Sequence, residues 1–194
     1  MSYIQCVLIK NGIFMSSDGR VTDGERIIDE NYKKIRRINN DLLIGYSGDK
    51  VFCEGILNIL QQSINCNMDV SSIYESVVII SKSLINQIGM KRGQFIIAGK
   101  YSDGKLGFIT LSTNNGFSST QKIANNSNDI YFTEAFSDNI DSDYLKTEIE
   151  KIMKEKQNSI SYLDLIEAMK NAAKKVAIDD TSVNTKFYFE MIKA

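Results

Sequence analysis

The apolar positions of this chain alternate between short β-branched runs and stretches of helical spacing. Tyr3 to Ile9 is a nearly continuous apolar run, and Asn11-Gly12 is a tight-turn signal after it. Ile13 to Ser17 reads as the returning strand, ended by Asp18-Gly19. Ile27-Ile28 is a further short apolar piece, Lys34 to Ile38 a weakly amphipathic strand, and Asn39-Asn40-Asp41 turns it into Leu42-Leu43-Ile44. Strands joined this closely pair with their chain neighbours, so this sheet is expected to be antiparallel.

The period then changes. Asp49 is placed to cap a helix over 49–66, with Val51, Phe52, Ile56, Ile59, Leu60 and Ile64 at helical spacing. A second helix over 71–88 starts at Ser71 or Ser72, carries Ile73, Val77, Ile80, Leu84, Ile85 and Ile88, and closes at Gly89. Strands return at Phe95 to Gly99 and at Leu106 to Leu111, around a turn at Ser102-Asp103-Gly104. Beyond a loop rich in Asn and Ser, Ile130-Tyr131-Phe132 reads as a short strand. Two more helices are predicted, from about Ser142 to Lys156 and from Ser161 to Val176, and Lys186 to Ile192 is the closing strand.

Strands, two helices, strands, two helices and a strand make an α+β pattern. It predicts a four-layer αββα sandwich of two antiparallel sheets flanked by helix pairs. No Pro-, Gly- or Ser-rich linker or repeat interrupts it, so residues 1–194 are expected to form a single domain. The complete absence of proline suits closely paired strands.

Composition narrows the chemistry. The 23 basic and 24 acidic residues leave a net charge of -1 without a basic cluster, which argues against nucleic acid as a partner. With no histidine, Ser-His-Asp and Cys-His catalysis are excluded, and the usual zinc sites with them. Any base must be an amine or a carboxylate. The three cysteines, Cys6, Cys53 and Cys66, lack metal-ligand spacing and read as buried thiols of a reducing compartment. Asp138, Asp141 and Asp143 lack calcium-loop spacing, and Gly99 and Gly104 do not make a phosphate loop. No cofactor or metal is expected. With no apolar run long enough for a membrane span and no leader-like start, a cytoplasmic location and no membrane association are expected.

Several segments in order resemble one family. They are Lys10-Asn11-Gly12, Ser17-Asp18-Gly19-Arg20-Val21-Thr22, Asn31-Tyr32-Lys33-Lys34-Ile35 and Gly45-Tyr46-Ser47-Gly48, followed by Ala98-Gly99 through Asp103-Gly104 to Leu106. This set is similar to the proteasome β subunits and their simpler bacterial relatives, which are N-terminal-nucleophile hydrolases. The resemblance implies a nucleophile at Ser2, exposed by removal of Met1, with the family aspartate at Asp18 and the family lysine at Lys34. It implies an oxyanion amide at Gly45, and an Asp–Ser pair at Asp179 and Ser182, with Asp180 as the alternative aspartate. The family's Gly-Ser-Gly-like segment has no counterpart in Ile130 to Ala135, where Thr133 is the substitute hydroxyl.

General chemistry agrees with that assignment. A free α-amine has a pKa of about 7.7–8.0, so it can take the proton of a hydroxyl near neutrality in a chain without histidine. A lysine beside them favours the deprotonated forms of both, and an aspartate orients that lysine. Each residue also has an ordinary explanation: Ser2 as a terminal residue, Asp18 as a turn former, Lys34 as a solvated charge, Gly45 as a strand end, and Asp179 to Ser182 as a helix cap and polar turn. The implied function is an N-terminal serine peptidase acting on peptides or unfolded proteins. The alternative is a proteasome-like structural subunit without activity. Family relatives assemble, so a homo-oligomer is expected. An ATPase partner stays open, since no segment reads as its docking signature. Arg20, Val21, Thr22, Gly48 and the residues near Lys50 are the expected pocket walls, with Arg20 either favouring acidic side chains or facing solvent.

Overall fold

A computed structural model describes residues 2–64, 68–89, 91–114, 116–136, 143–156 and 160–194. Met1, Cys66, Asp138, Asp141 and the predicted helix start at Ser142 lie outside these residues. The elements run β1 (Tyr3–Ile9), β2 (Gly12–Ser17), β3 (Val21–Asp23), β4 (Arg26–Asp29), β5 (Ile35–Asn39), β6 (Leu42–Gly48), α1 (Lys50–Ser63) and α2 (Val70–Ile88). They continue with β7 (Gly93–Lys100), β8 (Leu106–Ser112), β9 (Ser118–Ile123), β10 (Ile130–Phe136), α3 (Tyr144–Glu155), α4 (Tyr162–Asp179) and β11 (Tyr188–Lys193).

Two antiparallel sheets form the centre. One has the order β10-β1-β2-β11 and the other β5-β6-β7-β8-β9, with β3 and β4 a separate hairpin. Alternation along each strand divides the side chains into layers. Ile4, Cys6 and Leu8 of β1 meet Leu43 of β6, Ile96 of β7 and Phe108 of β8 between the sheets. The other faces of β6 and β7, with Ile44, Tyr46, Phe95 and Ile97, bury Phe52, Ile56 and Leu60 of α1 and Ile73 and Val77 of α2. Val7 and Phe14 pack on Leu145 and Ile149 of α3 and on Leu165, Met169 and Ala172 of α4. The predicted αββα sandwich is the observed architecture.

The helices begin where the sequence holds a side chain able to accept their first free amides. Asp49 accepts from the Phe52 N–H, Asp69 from Ser72, and Ser161 forms a capping box with Asp164. Several elements differ from expectation, among them the hairpin strand β3 at Val21–Asp23 and the earlier end of α1 at Ser63. The stretch read as a polar loop contains β9, which pairs with β8 from Gly107↔Ile123 to Ser112↔Ser118. The short strand at Ile130 runs on to Phe136, and α4 continues past Val176 to Asp179. Both extensions bear on the site.

Candidate active site

Ser2 precedes β1 and Asp18 follows β2, so the β1–β2 pairing sets them side by side. The Asp18 N–H donates to the Tyr3 carbonyl at 3.1 Å, and the Tyr3 N–H donates to Asp18 Oδ1 at 2.9 Å. Asp18 Oδ2 accepts from the Arg20 N–H at 2.8 Å. Lys34, just ahead of β5, brings its Nζ to 2.5 Å from Asp18 Oδ1. The side chains of this pair are 1% and 0% exposed. Burial pulls the Lys34 pKa below the ordinary lysine value, against the opposing pull of Asp18. Arg20 adds to the lowering and Asp180 opposes it.

Such a pair is costly to bury unless its remaining lone pairs are used, and here main-chain amides use them. The lysine is therefore held at a fixed point beside the start of β1. Ser2 and Lys34 line one cleft of about 520 Å³, together with Val21, Thr22, Ile28, Tyr32, Tyr46 and Gly48. Asp23, Asp49, Lys50 and Val51 complete its wall.

Gly45 is absent from that wall, which corrects the expected oxyanion position. The Tyr46 N–H donates to the Lys34 carbonyl, so β6 alternation turns the Gly45 amide the other way, towards β7, where Gly45 faces Ile96. Gly45 is instead a point of close approach between the sheets. A Cβ there would lie 2.9 Å from Ile4 Cγ2 and 3.0 Å from Met15 Sδ. Two residues beyond Tyr46, Gly48 shares its direction, past the start of β5, and it lines the cleft. Its φ of 117° and the 2.4 Å from a Cβ to the Arg92 carbonyl leave room only for glycine. Gly48 is the better candidate for the oxyanion amide.

The second Asp–Ser assignment changes as well. Asp179 is exposed and accepts from the Tyr144 hydroxyl at 2.5 Å. Asp180 caps α4 and is buried, and its charge reaches Lys34. Its Oδ1 accepts from the Ser182 N–H at 2.8 Å and the Ser182 hydroxyl at 2.6 Å. Its Oδ2 has no hydrogen-bond partner among the described residues. The aspartate partnering Ser182 is thus Asp180, the alternative of the two. Thr133 stands opposite Cys6 on β10, several residues along the strand from Ser2, so it does not supply a hydroxyl beside it. Arg20 is tied to Glu30 at 3.0 Å and to the Thr181 carbonyl, outside the cleft wall.

Sequence reasoning left Tyr32 and Tyr46 without a role, although the period of a strand puts Tyr46 on the side of Gly48. The Tyr46 hydroxyl donates to Glu54 Oε1 at 2.6 Å and lies 2.9 Å from the Tyr32 hydroxyl, which also donates to Glu54. No group of side chains able to hold a metal ion occurs among the described residues. Cys6 and Cys53 are buried free thiols, their pKa values pushed up by burial.

Residues 4–88 match the family model of the proteasome subunit. Among solved structures, the helical assembly of the Anbu complex from Pseudomonas aeruginosa is similar, with a TM-score of 0.77 at 13% identity over 98% of this chain and 81% of that one. Eukaryotic HslV from Trypanosoma brucei is similar with a TM-score of 0.62 at 15% identity, over 99% of both chains. At these identities the likeness speaks for the fold. A search of curated proteins finds no match.

Proposed function

We propose that this chain, a proteasome-type subunit by its fold and by the family model over residues 4–88, is an N-terminal serine peptidase. The observation that carries this reading is the buried Lys34–Asp18 pair, anchored to the Tyr3 amide in the cleft that Ser2 lines. A solvated surface lysine would explain neither its burial nor its main-chain anchoring.

In this reading the active form begins at Ser2. The freed α-amine takes the Ser2 Oγ proton as Oγ attacks the carbonyl carbon of a peptide bond. Lys34 keeps the local field positive and favours the alkoxide and the neutral amine. The amide at Gly48 stabilises the oxyanion, an effect worth about 3 kcal/mol per donor. The C–N bond then breaks, the amine returns the proton to the departing peptide, and an ester to Ser2 remains. Water, deprotonated by the same amine, hydrolyses it. Asp180, with its free Oδ2 and its partner Ser182, is suited to accept a hydrogen bond from the new amine. The substrate is a peptide or unfolded chain, and the working form is a homo-oligomer, as the assembled neighbours suggest.

Intact mass spectrometry tests this directly. A chain lacking Met1 should gain one adduct from a peptide β-lactone, and one from an epoxyketone, whose ring closure also needs the adjacent amine. Both adducts should vanish in Ser2→Ala. A chain that retains Met1, gains no adduct and leaves peptides uncut would establish the alternative, a structural subunit without activity.

A further inference from the structure

The two carboxylates whose charge reaches Lys34 stand on separate loops. Asp18 follows β2, while Asp180 ends α4 and opens the loop that leads into β11. The pairing of β11 with β2 brings these loops side by side, since Tyr188 lies opposite Ser17. The ladder ends at that pair, and the chain beyond it needs other bonds to hold its place.

One side chain supplies them. Asn184 is buried, with 7% of its surface exposed, and both ends of its amide are used. Its Oδ1 accepts from the Gly19 N–H at 2.8 Å and from the Lys186 N–H at 3.3 Å. Its Nδ2 donates to the Glu30 carbonyl at 3.0 Å and to Glu30 Oε2 at 2.6 Å. The Gly19 carbonyl accepts from the Tyr32 N–H at 2.9 Å, so the turn is bonded on both sides. A Cβ at Gly19 would lie 2.9 Å from the Glu30 carbonyl oxygen and from Tyr188 Cε2, which shows how closely these segments meet. At the surface Arg20 spans the same junction, from Glu30 to the Thr181 carbonyl.

Asp18 accepts from the Tyr3 and Arg20 amides together only while the turn through Gly19 keeps its course. The Gly19 amide is the point at which Asn184 holds that course. The charges that act on Lys34 are those of Asp18, Arg20 and Asp180, and all three stand on the two loops that Asn184 joins.

We propose that Asn184 is a positioning residue, which fixes the Asp18–Gly19–Arg20 turn against the loop of Asp180 and so sets the charges around Lys34. The proposal rests on the peptidase reading for its consequence, and adds to it a residue outside the cleft wall. The junction asks one planar group for an acceptor at Gly19 and a donor at Glu30, which an amide provides. Aspartate there would set a second carboxylate against Glu30. Alanine would leave the Gly19 N–H and the Glu30 carbonyl without this partner.

Two readouts keep the positioning role apart from the peptidase reading. The full chain is compared with Asn184→Ala, Asn184→Asp, and Asn184→Asp combined with Glu30→Gln, which reverses donor and acceptor across the contact. Labelling by a peptide β-lactone, followed by intact mass at several reagent concentrations, separates the maximal rate from the half-saturating concentration. Both single variants should lower the maximal rate at least tenfold and change the half-saturating concentration less than threefold. The double variant should return to within threefold of the natural rate. In lysine-labelled NMR, Lys34 should titrate below the other lysines in the natural chain and in the double variant. It should move up towards them in both single variants, where water reaches it. An unchanged maximal rate or an unmoved Lys34 titration in the single variants overturns the proposal. So does a rate lost in Asn184→Asp that the double variant does not regain. Both aspartate variants keep the size of the side chain, so their comparison decides even where Asn184→Ala does not fold. A natural chain that takes no label overturns the peptidase reading, and the Lys34 titration then decides on Asn184.

Discussion

Two ion pairs near the cleft each join a lysine or arginine to a carboxylate, and the fold treats them differently. Lys34 and Asp18 are sealed from solvent and tied to the main chain at Tyr3 and Arg20. Arg36 lies only two positions beyond Lys34, yet it is half exposed, and its partner Glu54 on α1 is held by phenol hydroxyls instead of amides. A pair fixed by the backbone has one geometry, which suits the proposed nucleophile's surroundings. A pair fixed by side chains can be rearranged or replaced. The contrast therefore sets a pair sealed by the main chain against a pair held by side chains at the surface.

The largest expected effect probes the sealed pair. Lys34→Ala leaves Asp18 as an unpaired buried charge, and should lower unfolding stability by about 3–5 kcal/mol. Urea denaturation should show the midpoint falling with little change in slope. Lys34→Ala combined with Asp18→Asn should recover most of that loss, because no uncompensated charge remains. Neither protein should react with a β-lactone. A loss under about 1 kcal/mol for the single variant would mean that the pair behaves like a surface ion pair, and the contrast between the two pairs would fail.

Behind the sealed pair, Glu134 predicts a pH dependence. Its carboxylate accepts from the Tyr3 hydroxyl at 2.5 Å and from the Leu145 N–H at 3.1 Å, tying β10, β1 and the start of α3 together. Burial raises its pKa to about 7, although the hydrogen bonds from Tyr3 and Leu145 pull the other way. The unfolded carboxyl titrates near ~4.3. Between these values the folded chain holds a proton that the unfolded chain has released. Stability from this group is thus fully present below about pH 4 and declines as pH rises towards 7, by on the order of 2–3 kcal/mol. Glu134→Gln should remove this part of the slope when denaturation midpoints are compared between pH 5 and 8. An unchanged slope would place the pH dependence elsewhere.

Most of this arrangement was legible in the sequence where period and turn chemistry agree. Residues 3–111 show both, and their strands and helices lie close to expectation. The strand β9 was not legible, because Ser118-Ser119-Thr120-Gln121-Lys122-Ile123 is an exposed edge strand without apolar alternation. At the site, Ser2, Asp18 and Lys34 are singled out by the resemblance; Ser2 and Lys34 line one cleft, and Asp18 pairs with Lys34. Gly45 was misassigned because the direction of an amide depends on strand parity, set by the Tyr46–Lys34 bond. Asp179 and Asp180 differ only through the last turn of α4, which runs beyond the expected end at Val176. Thr133 fails because β1 pairs with β10 in a register that puts Phe136, not Thr133, opposite Tyr3.

A smaller effect is expected from Tyr46→Phe at the exposed pair. The ring still fills its place among Ile44, Phe95 and Phe52, but the hydrogen bond to the charged Glu54 is lost. Such bonds are worth about 1.5–3 kcal/mol, and Tyr32 and Arg36 remain to support the carboxylate, so the lower figure of about 1.5 kcal/mol is expected. Thermal unfolding should show a modest fall, with β-lactone labelling of Ser2 retained. Loss of labelling would tie the two pairs together more closely than their separate anchoring implies.

The smallest effect completes the comparison, because it repeats the first substitution two positions away. Arg36→Ala removes a cation from a carboxylate, as Lys34→Ala does. Here the guanidinium is half in water, so little desolvation was paid on folding and little is recovered or lost on removal. Exposed pairs contribute about 0.2–1 kcal/mol, and two phenols continue to donate to Glu54, so the expected loss of stability is below about 1 kcal/mol. The two alanine variants should therefore differ by several-fold in their denaturation midpoint shifts, measured in one buffer at pH 8, where Glu134 has largely titrated. Raising salt provides the second readout. Added chloride should shrink the small difference between the natural chain and Arg36→Ala, since solvent ions screen that pair, and leave the large Lys34→Ala difference nearly intact. If salt reduces both in proportion, Lys34 and Asp18 are reached by solvent, and the lysine is not held apart from water as its placement beside Ser2 requires.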